Sequence, residues 1–137
     1  VVCARAFQTA VGCVDAASGN LRWSRAANGG TGISGDEQRL FGTEADGRVL
    51  AWRADTGDRA WAVDTLQWRN LTGTLVLGRS VVFGDSTGLV HMLAREDGAL
   101  LNRLSTDGSG VAATPVAVGG TLVLVTRNGG VYGFVPE

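Results

Sequence analysis

The chain alternates short apolar runs with turns that contain glycine. In the clearest unit, residues 47–61, an apolar strand over residues 49–52 precedes the turn Thr56-Gly57, and a second strand brings Trp61 back beside the first. This pattern is typical of a β-hairpin. Comparable units are centred on Ser18-Gly19 and Asp97-Gly98. Their spacing of about 40 residues, with about four short strands in each period, is the signature of β-propeller blades.

This periodicity predicts an all-β fold, a partial β-propeller of about three and a half four-stranded blades. Two blades are complete, one lacks its first strand and one lacks its last. The single segment 1–137 divides approximately into blade parts 1–26, 31–64, 72–106 and 112–135. The runs Val81-Val82-Phe83 and Leu122-Val123-Leu124-Val125 are nearly continuous, so we expect neighbouring blades to cover both of their faces. We also expect the chain to be the C-terminal part of a larger propeller.

Composition narrows the class of protein without identifying a chemistry. The 137 residues are 45% apolar and carry a net charge of −1, which favours neither nucleic acid nor an anionic membrane as a partner. Twenty-one glycines and only two prolines indicate many tight turns. No apolar run reaches the roughly 18 residues that a membrane span needs. These features agree with an all-β domain of ordinary surface charge.

The chain has two cysteines, Cys3 and Cys13. If Gln8-Thr9 forms a two-residue turn, Cys3 lies opposite Val14 and Cys13 lies opposite Ala4. The two thiols then project from opposite faces of the hairpin, which predicts two small buried apolar residues rather than a disulfide or a metal pair. A shift of one residue in the pairing would reverse this prediction.

The turn motif resembles that of a known superfamily. The pattern small-x-x-x-x-[Ser/Thr]-Gly-x-x-x-Trp occurs in residues 51–61 and 13–23 and resembles the Trp-docking repeat of pyrroloquinoline-quinone-type (PQQ-like) propellers. Segments 82–91 and 114–132 further resemble the BamB family, the propeller lipoproteins of the outer-membrane β-barrel assembly machinery. Asn102 departs from the repeat because it stands where a third Trp is expected. The structural repeat positions are Gly19, Trp23, Gly57, Trp61 and Gly98.

The BamB resemblance implies a non-enzymatic scaffold without cofactor, metal or catalytic residues. It implies a periplasmic protein, held at the outer membrane by a lipid on an N-terminal cysteine outside this chain. The implied partners are other subunits of the assembly complex, chiefly the periplasmic domains of its central barrel subunit, together with unfolded outer-membrane proteins. Open strand edges at both ends also predict self-association of this segment.

Two alternatives stay open, a fragment of a PQQ-dependent quinoprotein dehydrogenase and a PQQ-like module of another binding protein. Such dehydrogenases resemble one another in a calcium site, a catalytic Asp and often a vicinal Cys pair. Here the cysteines are separated, and the acidic residues, Asp85 and Asp107 among them, mostly fall in predicted turns, where carboxylates are usually solvated.

The remaining candidate motifs indicate structure rather than chemistry. The single histidine, His91, lies in an apolar strand, which favours a structural or surface role over zinc binding. The glycine-containing runs 28–32 and 108–110 are followed by no lysine or helix, so they are not predicted to bind phosphate.

One connection between blades is a candidate contact surface. It contains Leu66, Trp68, Arg69 and Asn70, and propeller geometry places it on the same face as the turns 46–47, 85–88 and 127–129. Trp and Arg are enriched in binding hot spots, so Trp68, Arg69 and Asn70 are predicted to contact a partner. The alternative is that Trp68 caps the core and Arg69 only extends its charge into water.

Overall fold

The computed structural model describes residues 2–135 and contains fourteen β-strands. The described part of the chain has no helix, and so none that could cross a membrane. The first predicted blade part begins at residue 1, which lies outside these residues, as do residues 136 and 137. The strands, in chain order, are β1 Val2–Ala6, β2 Ala10–Val14, β3 Leu21–Ala26, β4 Ser34–Gly35, β5 Arg39–Thr43, β6 Val49–Arg53, β7 Arg59–Val63, β8 Leu75–Leu77, β9 Ser80–Gly84, β10 Val90–Ala94, β11 Leu100–Leu104, β12 Val116–Val118, β13 Thr121–Val125 and β14 Val131–Phe134.

The strands form four antiparallel sheets, and within each sheet neighbours in space are neighbours in sequence. Sheet 1 contains β1–β3, sheet 2 contains β4–β7, sheet 3 contains β8–β11 and sheet 4 contains β12–β14. The predicted fold class, an all-β partial propeller with two four-stranded blades and two incomplete ones, is therefore confirmed.

In three of the sheets, the equivalent hairpin contains a shift in its pairing register. The ladder shifts between Cys13 and Val14 in sheet 1, between Ala51 and Trp52 in sheet 2 and between Met92 and Leu93 in sheet 3. Each shift lies just before the turn glycine that the sequence repeat aligns. A β-bulge at this place increases the local twist, so the repeat encodes a bend as well as a turn.

The apolar core consists of three layers, one between each pair of successive sheets. The layers comprise Val11, Cys13, Trp23, Leu40, Leu50 and Trp52; Phe41, Val49, Ala51, Trp61, Leu66, Leu71, Val81, Phe83 and Leu93; and Val82, Val90, Met92, Val111, Leu122 and Leu124. Strand β9 is buried on both faces because sheet 3 lies between two layers.

The described residues cover β13 on one face only. Leu122 and Leu124 are buried against sheet 3, whereas Val123 is half-buried and Val125 is 39% exposed. Within the described residues no fifth sheet covers that face of sheet 4, so its valines meet solvent.

The first strand of each complete blade is short. It is Ser34–Gly35 in sheet 2 and Leu75–Leu77 in sheet 3. Thr72 and Thr74, which precede β8, also bond to sheet 2. Thr74 Oγ1 donates to Phe41 O at 2.9 Å, and Thr72 O accepts from Thr43 Oγ1 at 2.9 Å. These hydrogen bonds join sheet 3 to sheet 2.

The prediction that the cysteines are not bridged is wrong. Cys3 lies directly opposite Cys13, and their sulfurs form a disulfide. The hairpin has a three-residue loop rather than a two-residue one, since Ala6 pairs with Ala10 and Gln8 adopts a φ of 55°. The extra loop residue shifts the register by one position, which moves both thiols to the same face of the sheet.

Candidate functional site

The indoles at the two matched repeat positions dock on the next sheet. Trp23 Nε1 donates to Ala54 O at 2.8 Å, and Trp61 Nε1 donates to Arg95 O at 2.9 Å. Trp23 also lies against Gly57, and a Cβ at Gly98 would sit 2.8 Å from the ring of Trp61. Both indoles are buried, so these positions join blades.

The connection from sheet 2 to sheet 3 is anchored by two leucines. Leu66 and Leu71 are buried in the layer between the two sheets. The turn of sheet 2 supports the same segment, because a Cβ on Gly47 would lie 2.7 Å from Gln67 Cα. Trp68 N–H donates to Asp46 O at 3.1 Å. The backbone of residues 66–71, here called the Trp68 segment, is therefore held on the side of sheet 2.

Trp68 itself points into solvent. Its side chain is 78% exposed, whereas the other three tryptophans are at most 9% exposed. Leu66 and Leu71 occupy the buried positions of the segment, so Trp68 does not cap the core. Trp68 and Asn70 have φ angles of 68° and 52°, in the left-handed region that non-glycine residues rarely adopt. Each such residue costs of order 1 kcal/mol, and tertiary contacts must hold it there.

Arg69 is bound rather than free. Its Nη1 donates to Asp85 Oδ2 at 3.2 Å, and its carbonyl accepts from Ser86 N–H at 2.9 Å. The segment is therefore held on the side of sheet 3 as well. Asn70 faces a cavity of about 510 Å³ that Glu44, Thr72 and Arg127 also line.

Asp85 is fully buried, unlike the solvated turn carboxylate that the sequence predicts. Its Oδ1 accepts from Thr87 N–H at 2.8 Å, from Thr87 Oγ1 at 2.7 Å and from Leu89 N–H at 3.1 Å. Its Oδ2 faces Arg69 and His91. Burial raises the pKa of Asp85, but the hydrogen bonds from Thr87, His91 and Leu89 outweigh it and lower that pKa to about 2.

His91 is also fully buried, and its ring stacks on Phe83. Its Nε2 lies 2.8 Å from Asp85 Oδ2, and Arg103 Nε donates to its Nδ1 at 3.3 Å. Burial lowers the pKa of His91, against the opposite effect of Asp85. A neutral ring that carries its proton on Nε2 satisfies both contacts. This arrangement makes His91 a structural link between β10 and β11, in line with the role favoured from the sequence.

The place of Asp85 recurs in the neighbouring sheets. Glu44 and Thr126 follow the second strand of sheets 2 and 4 as Asp85 follows that of sheet 3. Glu44 accepts from Asn28 N–H, and Thr126 Oγ1 donates to Asp107 Oδ2 at 2.7 Å. In sheets 2, 3 and 4 this residue therefore holds the incoming connection, and in sheet 3 it does so through an arginine next to an exposed tryptophan.

The other candidates have structural roles in the described part of the chain. A Cβ on Gly29 would overlap the Arg5 guanidinium, so the run 28–32 packs against a side chain. Residues 2–135 contain no group of three or more His, Cys, Asp and Glu side chains placed to share a metal ion. Arg103 was not singled out from the sequence, and Asp85 was considered there only as a solvated turn acid. A turn aspartate six residues before a histidine in an apolar strand was the available signal.

Comparison with known proteins finds similarity to BamB assembly factors. The family model described as "Outer membrane protein assembly factor BamB" matches residues 1–63. The chain is 42% identical over 135 residues to the outer membrane protein assembly factor BamB of Burkholderia pseudomallei, covering 98% of this chain and 35% of the relative. It is 32% identical over 130 residues to that of Bordetella pertussis, covering 94% of this chain and 34% of the relative.

A solved structure agrees in fold. The crystal structure of BamB from Moraxella catarrhalis superimposes with a TM-score of 0.89 at 23% identity, covering 97% of this chain and 40% of that one. The predicted resemblance to the BamB family is therefore confirmed. The chain spans about a third of the length of the curated relatives it matches.

Proposed function

We propose that this chain is part of a BamB-like propeller that acts as a non-enzymatic scaffold in outer-membrane protein assembly. The observation that carries the proposal is the similarity to named assembly factors over almost the whole chain. The architecture is compatible with such a role, because its buried residues mainly join one sheet to the next. We infer a periplasmic location at the outer membrane, with a lipid anchor outside this chain. The Cys3–Cys13 disulfide fits the oxidising periplasm.

We further propose that Trp68, with Arg69 and Asn70, contacts a partner protein. A large aromatic side chain that is 78% exposed and held in an unfavourable backbone conformation is suited to a contact that needs little further ordering. The proposed partner is the set of periplasmic domains of the central barrel subunit. Unfolded outer-membrane proteins are the second class of partner, which the scaffold would help to present for insertion.

The test measures binding of the full-length protein that contains this chain to the purified periplasmic domains, by biolayer interferometry. Trp68→Ala is expected to weaken binding about tenfold or more, as loss of a hot-spot aromatic does. Leu100→Ala is the matched control, because Leu100 is another exposed apolar residue, 54% exposed, at the start of β11. Its affinity is expected to match the wild type.

Equal affinities for wild type and Trp68→Ala would remove Trp68 from the contact. Absence of any binding by the wild type would instead count against the scaffold proposal. The same preparation tests the alternative, since a quinoprotein dehydrogenase would show bound-quinone absorbance in the presence of calcium. Sedimentation of the isolated chain tests the expected self-association, which a monomer at micromolar concentration would contradict.

A further inference from the structure

Asp85 connects the Trp68 segment to the buried residues of sheet 3. Its Oδ1 closes the turn between β9 and β10, and its Oδ2 binds the Arg69 guanidinium beside Trp68. The carboxylate is fully buried, whereas the Arg69 side chain is 37% exposed. Asp85 thus uses Oδ1 for the hydrogen bonds of its own turn, and its Oδ2 is available to hold the Trp68 segment through Arg69.

The position of that carboxylate is itself fixed from behind. His91 donates to the same Oδ2, stacks on Phe83 and accepts from Arg103 on β11. The chain of contacts therefore runs from the outermost strand of sheet 3, through His91 and Asp85, to Arg69 on the face that bears Trp68. Buried, fully bonded polar groups of this kind rigidify the elements they join.

The Trp68 segment needs contacts of this kind to keep its backbone conformation. Trp68 and Asn70, on either side of Arg69, both have positive φ angles, which relax when nothing opposes the change. On the side of sheet 2 the segment has one backbone hydrogen bond, from Trp68 N–H to Asp46 O. On the side of sheet 3 it has the Arg69 carbonyl to Ser86 N–H bond and the Arg69–Asp85 ion pair.

We propose that Asp85 is a positioning residue for the Trp68 segment, acting through Arg69 and itself held by His91. This inference rests on the proposed function only where partner binding is concerned. The order of the Trp68 segment is a property of the free protein and can be measured without a partner.

The structural test is hydrogen exchange of the full-length protein, read by mass spectrometry. Asp85→Asn is expected to speed exchange in residues 66–71 about tenfold while peptides from β5 and β6 stay unchanged. Asp107→Asn is the matched control, since Asp107 also closes a turn, with Ser109 N–H 3.0 Å from its Oδ1, and contacts Thr126 but no arginine. In that variant residues 66–71 are expected to exchange as in wild type.

The Arg69→Met variant is a control for the case in which Asp85→Asn destabilises the whole fold. It removes only the partly exposed guanidinium and leaves the buried carboxylate with its turn and His91. Exchange in residues 66–71 is expected to rise in this variant as well. In protein labelled with 5-fluorotryptophan, the ¹⁹F resonance of Trp68 is assigned as the one that is missing from Trp68→Phe. This resonance is expected to be narrower in Asp85→Asn and in Arg69→Met than in the wild type.

The functional test is a double-mutant cycle for affinity toward the periplasmic domains. Asp85→Asn is expected to weaken binding in the wild-type background and to cause no further loss in a Trp68→Ala background. Unchanged exchange and ¹⁹F width in Arg69→Met, or fully additive losses in the cycle, would overturn the positioning role. If Trp68→Ala leaves affinity unchanged, the proposed contact fails, while the exchange and ¹⁹F data still decide whether Asp85 orders the segment.

Discussion

The indole of Trp23 in sheet 1 covers the Cα of Gly57 in sheet 2 so closely that a Cβ at Gly57 would overlap the ring. The glycine at the centre of the turn motif is therefore required for contact between blades as well as for its φ of 76°.

Gly57→Ala should lower the free energy of unfolding by about 2–4 kcal/mol, since it combines a strained φ with a displaced indole. Gly19→Ala is a control for the strain alone, because Gly19 has a similar φ of 75° and a Cβ there would meet nothing within 4 Å. It should cost about 1 kcal/mol. Urea unfolding measures both, and equal losses would show that the contact with Trp23 adds nothing.

The buried pair between Arg5 and Glu44 gives a second prediction. The side chains are 5% and 2% exposed, and Arg5 Nη1 also donates to Thr43 O at 2.7 Å. Burial lowers the pKa of Arg5, and Glu44 opposes this effect, so the guanidinium depends on its partner. Glu44→Gln should destabilise by about 3 kcal/mol because it leaves a buried charge unpaired.

The double variant Arg5→Met with Glu44→Leu should be more stable than Glu44→Gln, since no unpaired charge then remains. As a control, Arg53→Met breaks the exposed Arg53–Asp55 pair and should not change stability measurably. A double variant less stable than Glu44→Gln would contradict this account.

The disulfide between Cys3 and Cys13 gives a third prediction. Closing a loop of about ten residues restricts the unfolded chain by about 2–3 kcal/mol on the loop-entropy estimate. Reduction should therefore lower the melting temperature of the wild type. A Cys3→Ala, Cys13→Ala double variant should melt lower and should not respond to the reductant. Two free thiols in the oxidised, folded protein by Ellman titration would rule out the bridge.

The Asp85–His91 pair predicts a loss of stability on acidification. The pKa of His91 is lowered from its ordinary 6.5, so below that pH the unfolded chain binds a proton that the folded chain does not. The pKa of Asp85 is about 2 against an ordinary 3.8, so its contribution is present above pH 3.8 and is lost as the pH falls toward 2. Both effects have the same sign.

His91→Gln separates the two effects, because the amide can donate to Asp85 and accept from Arg103 without titrating near neutrality. Unfolding free energies measured from pH 7 to 5 should decline in the wild type, by at most about 1.4 kcal/mol per pH unit for one proton. The variant should show a flatter curve over that range. An equal slope in both proteins would mean that His91 does not contribute.

Much of the fold followed from local pattern. The turn glycines, the apolar runs and the two tryptophans recur at a period near 40 residues, and each repeat is a hairpin unit whose strands pair with their sequence neighbours. Local pairing needs no long-range information, so the all-β class and the grouping into four sheets could be predicted. The BamB resemblance rested on the same repeats.

Tertiary structure decided what depends on one residue of register or on contacts between sheets. The loop between β1 and β2 has three residues instead of the predicted two, which moves the pairing register by one position. A shift of one residue moves every side chain of a strand to the opposite face, so Cys3 and Cys13 come to lie on the same face and form the disulfide. Packing of sheet 3 against the connection from sheet 2 buried Asp85 and exposed Trp68. The sequence pattern indicates which residues are apolar and where the chain turns. Burial of the Asp85 carboxylate depends instead on the side chains of Arg69 and His91, which the folded chain brings next to it.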